Sequence, residues 1–257
     1  MTIFDLAYDP DNLLVNPLSR RLLPHIQRNL YHRIRPRGRL AYSKLLETVK
    51  TSPRLVRLVE HLDTSGIYWS SYPGNFEEII KAFPRLKTLI LGYGPACDSI
   101  DGPVPPIEHL QYEPSYVRIA AYDLLSRFPL ETLDIGFTGA PSDDTLRHRP
   151  KELKLLESLT LRHTDDDERP YPPKIWNKNL SKFVELCPNL TSLRLFDVVN
   201  PDYRRFLSRF THLSNTLTSL ELHAPFDLDS PSGIPCDHVL PLFKNLRNLH
   251  LDHGTVS

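Results

Sequence analysis

The chain has 257 residues, 40% of them hydrophobic, enough to bury a substantial core in one domain or two. Its 31 basic and 31 acidic residues cancel, so no whole-molecule field draws it toward nucleic acid or an anionic membrane. Cys97, Cys187 and Cys236 are far apart and lack metal-ligand spacing, which excludes a disulfide framework and points to a reducing, intracellular compartment, cytoplasmic or nuclear.

Residues 1–17 hold Asp5, Asp9 and Asp11, prolines and little periodicity, and read as a poorly ordered lead-in. Acids stand where a signal peptide carries bases, and no run approaches the ~20 apolar residues of a membrane helix. From Leu18 to about Tyr31, Leu22, Leu23, Ile26 and Leu30 recur at helical intervals, with Pro24 bending or restarting the helix. Leu30 to Ile34 reads as a short extended strand. After Gly38, the residues Ala41, Tyr42, Leu45, Leu46 and Val49 mark a helix with one apolar face, closed by Ser52-Pro53. Residues 18–53 form this opening unit and run on into 54–257.

From Val59 onward one pattern keeps returning: an apolar residue, two others, Leu, one other, an apolar residue. It stands as Leu86-Lys-Thr-Leu89-Ile-Leu91, Leu130-Glu-Thr-Leu133-Asp-Ile135, Leu156-Glu-Ser-Leu159-Thr-Leu161, Leu190-Thr-Ser-Leu193-Arg-Leu195, Leu217-Thr-Ser-Leu220-Glu-Leu222 and Leu246-Arg-Asn-Leu249-His-Leu251. Weaker copies, Val59-Glu-His-Leu62-Asp-Thr64 and Ile107-Glu-His-Leu110-Gln-Tyr112, fill the gaps, and the steps of 21 to 34 residues bracket the period of leucine-rich repeats. Between strands, Phe76, Ile79, Ile80 and Phe83 fall at helical spacing, as do Val117, Ala120, Ala121 and Leu124. Trp176 to Cys187 and Tyr203 to Leu213 carry similar stripes. Phe83-Pro84, Phe128-Pro129 and Cys187-Pro188 stop three of these helices, because proline forces its predecessor out of the helical region. Gly92 to Pro106 and Arg147 to Leu156 lack a convincing helix.

These units predict an α/β fold: an irregular leucine-rich-repeat solenoid of about eight repeats, with a parallel concave sheet and convex helices and loops. The leucines point inward and the residues flanking each central leucine point outward. The expected partner-binding ribbon is therefore His61 and Asp63, Thr88 and Ile90, His109 and Gln111, Thr132 and Asp134, Ser158 and Thr160, Ser192 and Arg194, Ser219 and Glu221, Asn248 and His250. Eight strands at ~4.8 Å make a ribbon about 34 Å long, suited to a protein partner at roughly 800 Å² per side.

Other features are weighed against that reading. Arg20, Arg21, Arg28, Arg33, Arg35, Arg37, Arg39 and Lys44 form a basic block without an acid; it reads as a solvated face and a charged strand edge, with a nucleic-acid contact as the weaker alternative. Asp165-Asp166-Asp167-Glu168 is contiguous rather than alternating, so it reads as an acidic loop and not a calcium site. Cys187 falls on a buried helical stripe; His61, His109 and His250 are spread too far along the ribbon to share a metal. No nucleophile elbow, zinc-protease pair, phosphate loop or dinucleotide fingerprint is present, so no catalytic residue, metal or cofactor is expected and the chain is not read as an enzyme.

Over about residues 18–257 the chain resembles the leucine-rich-repeat part of a fungal F-box protein. The most specific portion is Ser19-Arg-Arg-Leu-Leu-Pro-His-Ile-Gln-Arg-Asn-Leu-Tyr-His-Arg-Ile34, similar to the end of an F-box, where a final helix leads into a strand; Met1 to Pro17 does not match its front half. Leu45 to Leu62 is similar to the helix and first strand that open the repeats in that group. The resemblance implies a substrate receptor of a ubiquitin ligase, binding a protein substrate with its repeats and a Skp-type adaptor if an F-box is completed upstream. A stand-alone repeat scaffold is the alternative. The chain stops six residues after its last pattern leucine without a capping element, which leaves truncation at either end open.

Overall fold

Eight of the nine strands grow out of the recurring pattern, and they do so for a local reason. The computed structural model describes residues 25–65, 80–94, 102–114, 125–137, 152–163, 181–196, 207–224 and 240–253. Within them the strands are β1 (Arg33–Ile34), β2 (His61–Thr64), β3 (Thr88–Gly94), β4 (His109–Pro114), β5 (Thr132–Phe137), β6 (Ser158–His163), β7 (Ser192–Phe196), β8 (Ser219–Ala224) and β9 (Asn248–His253). They make one open parallel sheet in simple chain order, β1 to β9.

Register is set at the strand entries. Lys87 and Thr88 both donate their backbone N–H to the carbonyl of Glu60, at 2.9 and 3.0 Å, and Glu108 and His109 do the same to Lys87. The same two-to-one arrangement carries β5 onto Glu108, β6 onto Glu131, β7 onto Glu157, β8 onto Thr191 and β9 onto Thr218. A carbonyl has two lone pairs, so each entry satisfies two donors at once. Thr191 and Thr218 add their hydroxyls, each donating at 3.0 Å to the carbonyl its own N–H uses. As a result the central leucines, Leu62, Leu89, Leu110, Leu133, Leu159, Leu193, Leu220 and Leu249, lie opposite one another from strand to strand.

Alternation then sends these leucines to one face, where they meet the helical segments. Leu159, Leu193, Leu195 and Leu217 are fully buried, together with Phe183, Val184, Cys187, Phe210 and Leu213 from the intervening segments. Residues 80–82 and 181–185 are helical and residues 208–213 form a 3₁₀ turn; Phe83, Phe128 and Cys187, each before a proline, lie outside helix. Cys187 donates its S–H to the Phe183 carbonyl at 3.5 Å, and burial pushes its pKa up to about 12, the state of a packing thiol rather than a nucleophile. Thr64 takes the place of a leucine in β2 and donates its hydroxyl to the Ile90 carbonyl at 3.1 Å. Among the described residues, no helix is long and apolar enough to cross a membrane.

Three expectations change. Leu30 and Tyr31 are still helical, so the anticipated strand from Leu30 shortens to Arg33–Ile34. That short strand nevertheless pairs in parallel with β2, which makes β1 and not β2 the first strand of the stack among the described residues. The helix that follows, Gly38–Thr51, buries Tyr42 and Leu45 against the sheet as its spacing predicts. At the other end β9 pairs, among the described residues, only with β8, and Leu249 is 39% exposed where its counterpart Leu193 is fully covered. The lead-in at 1–17, the acidic loop 165–168, Cys97 and Cys236 lie outside the described residues.

Leu193→Ala removes a fully buried side chain between two flanking strands and is expected to cost ~2 to 5 kcal/mol. Leu249→Ala, at the half-open edge, is expected to cost distinctly less. Urea denaturation of the two variants against the parent measures the difference.

Candidate binding face

The face opposite the leucines carries three rows of side chains, one row more than the residues flanking each central leucine. The first row, just before the central leucine, is mostly small and hydroxylic: Thr88, Thr132, Ser158, Ser192 and Ser219, with His61, His109 and Asn248. The second holds Asp63, Ile90, Gln111, Asp134, Thr160, Arg194, Glu221 and His250. A third, two residues further on, brings Arg162, Phe196 and His223 into register across β6, β7 and β8. Strand alternation puts position +3 on the same side as +1, which is the signal that finds these three. A shallow depression of about 210 Å³ runs across β3 to β6, with Thr88, Thr132, Ser158, His109, Gln111 and Asp134 among its lining residues.

Most expected ribbon residues are open or half-open to solvent, Arg194, Asn248 and His250 most of all. Asp63 and Thr160 are not. Asp63 is 5% exposed because Arg35 reaches over it, Nε to Oδ2 at 2.9 Å, while Ser65 donates its backbone N–H and its hydroxyl to Oδ1. Thr160 is 8% exposed; it is a short side chain between the longer Asp134 and Arg194, its partners in register. The ion pair also changes the reading of the basic block. Arg35 is committed to the sheet, Arg28, Arg33 and Arg37 are exposed, Lys44 is half-buried, and Arg20, Arg21 and the Arg39 side chain lie outside what is described.

Charges on the face are matched across strands. Arg162 grips Asp134 with two bonds, Nε to Oδ1 at 3.0 Å and a terminal nitrogen to Oδ2 at 2.7 Å. Gly136, opposite Arg162 in register, places no side chain in the way. Arg194 Nε donates to Glu221 Oε2 at 3.0 Å, and His223 Nε2 lies 2.6 Å from Glu221 Oε1. The His223 contact and, beyond it, the charges of Arg194, His223 and His250 hold the Glu221 carboxyl below its usual range against the opposing effect of burial. The ring of His223 stacks on Phe196 at 4.2 Å, and the Arg162 guanidinium sits 5.2 Å from the Phe196 centroid. Sequence reasoning found Arg194, Glu221 and His250 here but missed Arg162, Phe196 and His223. His61 and His109 stand away from this group: His61 packs edge-on against His32 at 4.7 Å, and His109 bonds Thr132 Oγ1 at 2.8 Å.

Comparison with models of known protein families, with curated proteins and with solved structures returned no match.

Burial, followed by the charges of His32, Arg33 and His109, lowers the pKa of His61 below 6.5, with Glu60 acting the other way. The unfolded chain therefore takes up this proton first as pH falls. Stability is expected to decline from above pH 6.5 down through the lowered folded-state value, and His61→Gln is expected to flatten that part of the profile. Urea midpoints between pH 7.5 and 5 check this, at about half-unit steps on either side of the ordinary histidine range.

Proposed function

We propose that this chain is a leucine-rich-repeat solenoid that binds a protein on the polar, concave face of its sheet and performs no chemistry of its own. The observation that carries the reading is the division of labour within each strand. The leucines supply the core, while the outward residues, most of them open or half-open to solvent, lie in register over nine strands, roughly 38 Å at the spacing of parallel strands. A surface of that length meets the area that standard protein complexes use. Its composition supports a protein ligand: an aromatic ring, arginines and matched acids at one end, a shallow hydroxyl-lined depression in the middle. A repeat stack of this kind places binding residues on a rigid ladder, so affinity comes from positioning.

Within that reading, the chain acts as the substrate-recognition part of an F-box-type ubiquitin ligase. Support comes from the likeness of Ser19 to Ile34 to the end of an F-box, and from helical residues 25–31 leading into β1 in the order that likeness implies. Its companion would be a Skp-type adaptor held by the N-terminal side.

Asp134→Lys and Arg194→Glu each reverse a charge on the face without touching a leucine. Both are expected to lower recovery of the bound protein in affinity purification at least tenfold while leaving the melting temperature within a few degrees. Early melting instead would mean that these side chains serve the fold. Recovery of no Skp-type or cullin protein, either with this chain or with its upstream genomic sequence added, would remove the ligase role and leave a repeat scaffold.

A further inference from the structure

Three side chains able to ligate a metal meet at the β8 end of the polar face. Glu221 and His223 are two residues apart on one strand and so share a side, and His250 on β9 is the register partner of Glu221. One ligand atom from each lies within 4.8 Å of the other two. Two of the three are already held. Arg194 takes Glu221 Oε2 at 3.0 Å and leaves Oε1 turned toward His223 Nε2, 2.6 Å away. Phe196 lies flat against the His223 ring, 12° between planes, and Arg162 sits over Phe196 in turn. Outer contacts that orient a carboxylate and an imidazole are what metal sites use to fix their ligands.

We propose that Glu221, His223 and His250 bind one divalent transition-metal ion of the zinc class, through the Glu221 carboxylate and one ring nitrogen of each histidine. The donor set decides the class. Two imidazoles and a carboxylate suit zinc, copper or nickel, whereas calcium takes six or more oxygens and magnesium an octahedral oxygen shell. A tetrahedral zinc site needs donor atoms roughly 3.3 Å apart. The Glu221–His223 pair opens slightly to reach that spacing and His250, exposed at the edge strand, swings inward; the ion replaces the proton that now joins Glu221 to His223. Three protein ligands leave a fourth position open on the polar face, filled by water in the free protein. Arg194 places a positive charge beside the ion, so the site is exchangeable rather than a closed structural centre. The ion needs no bound partner, so this inference stands apart from the binding reading above.

The test uses the full chain, stripped with chelator, then titrated with ZnCl₂ by calorimetry and with CoCl₂ by visible absorption. The expected result is one equivalent bound, with the intense absorption of four-coordinate cobalt. His250→Ala and His223→Ala are each expected to weaken binding at least tenfold, and Glu221→Gln to weaken it likewise. A His61→Ala/His109→Ala double variant, altered elsewhere on the same face, is expected to bind as the parent does. His250 is exposed, so its variant keeps the test independent of any folding defect at His223. No binding by the parent, undiminished binding by His250→Ala, or an equal loss in the His61/His109 variant would overturn the assignment.

Discussion

Everything in this molecule depends on one repeated backbone contact, in which two consecutive N–H groups at each strand entry share a single carbonyl of the preceding unit. Because it recurs from β2 to β9, each new strand starts at the same height as the last. A one-residue slip would turn every leucine toward solvent and every polar residue into the core. The hydrophobic pattern and the entry contact therefore enforce each other, and the connections between strands are free to vary. That freedom explains how steps of 21 to 34 residues coexist with an unbroken register.

The same constraint creates the face. With the leucines committed to one side, alternation leaves three rows of residues that the core does not use. Their ions are matched across strands rather than left single: Asp134 with Arg162, Arg194 with Glu221, Asp63 with Arg35. The two open pairs, Asp134 with Arg162 and Arg194 with Glu221, add little to stability, about 0 to 1 kcal/mol each, and their effect is to hold side chains at defined positions. Toward β8 that positioning concentrates two arginines, an aromatic ring, a carboxylate and two histidines in one place, which is where the face has the most chemistry to offer.

Much of this was legible in the sequence because the strand signal is local. The spacing of Leu190, Leu193 and Leu195 contains the strand, its face and its partners, and weaker copies such as Ile107 to Tyr112 pair in register like the strong ones. What escaped depends on contacts between distant residues. Asp63 looks like any outward residue until Arg35, on the far side of a helix, is seen to cover it. The two-residue strand Arg33–Ile34 is too short to carry a period, and only pairing with β2 makes it one. Arg162, Phe196 and His223 were within reach of simple alternation carried two residues further. His223 is the residue that turns the scattered histidines of the ribbon into a cluster, since His250 finds its companion there and not at His61 or His109.

The claim on which the rest stands is that the sheet is one continuous stack in which each strand is held by its immediate neighbours. Native-state hydrogen exchange followed by mass spectrometry tests it most directly, since amide protection reports the opening free energy of each segment. The account predicts the slowest exchange at the leucine-bearing amides of β3 to β8, with protection falling smoothly toward β1 and β9. Rapid exchange in an interior strand such as β4 or β5, with protected strands on either side, would contradict it.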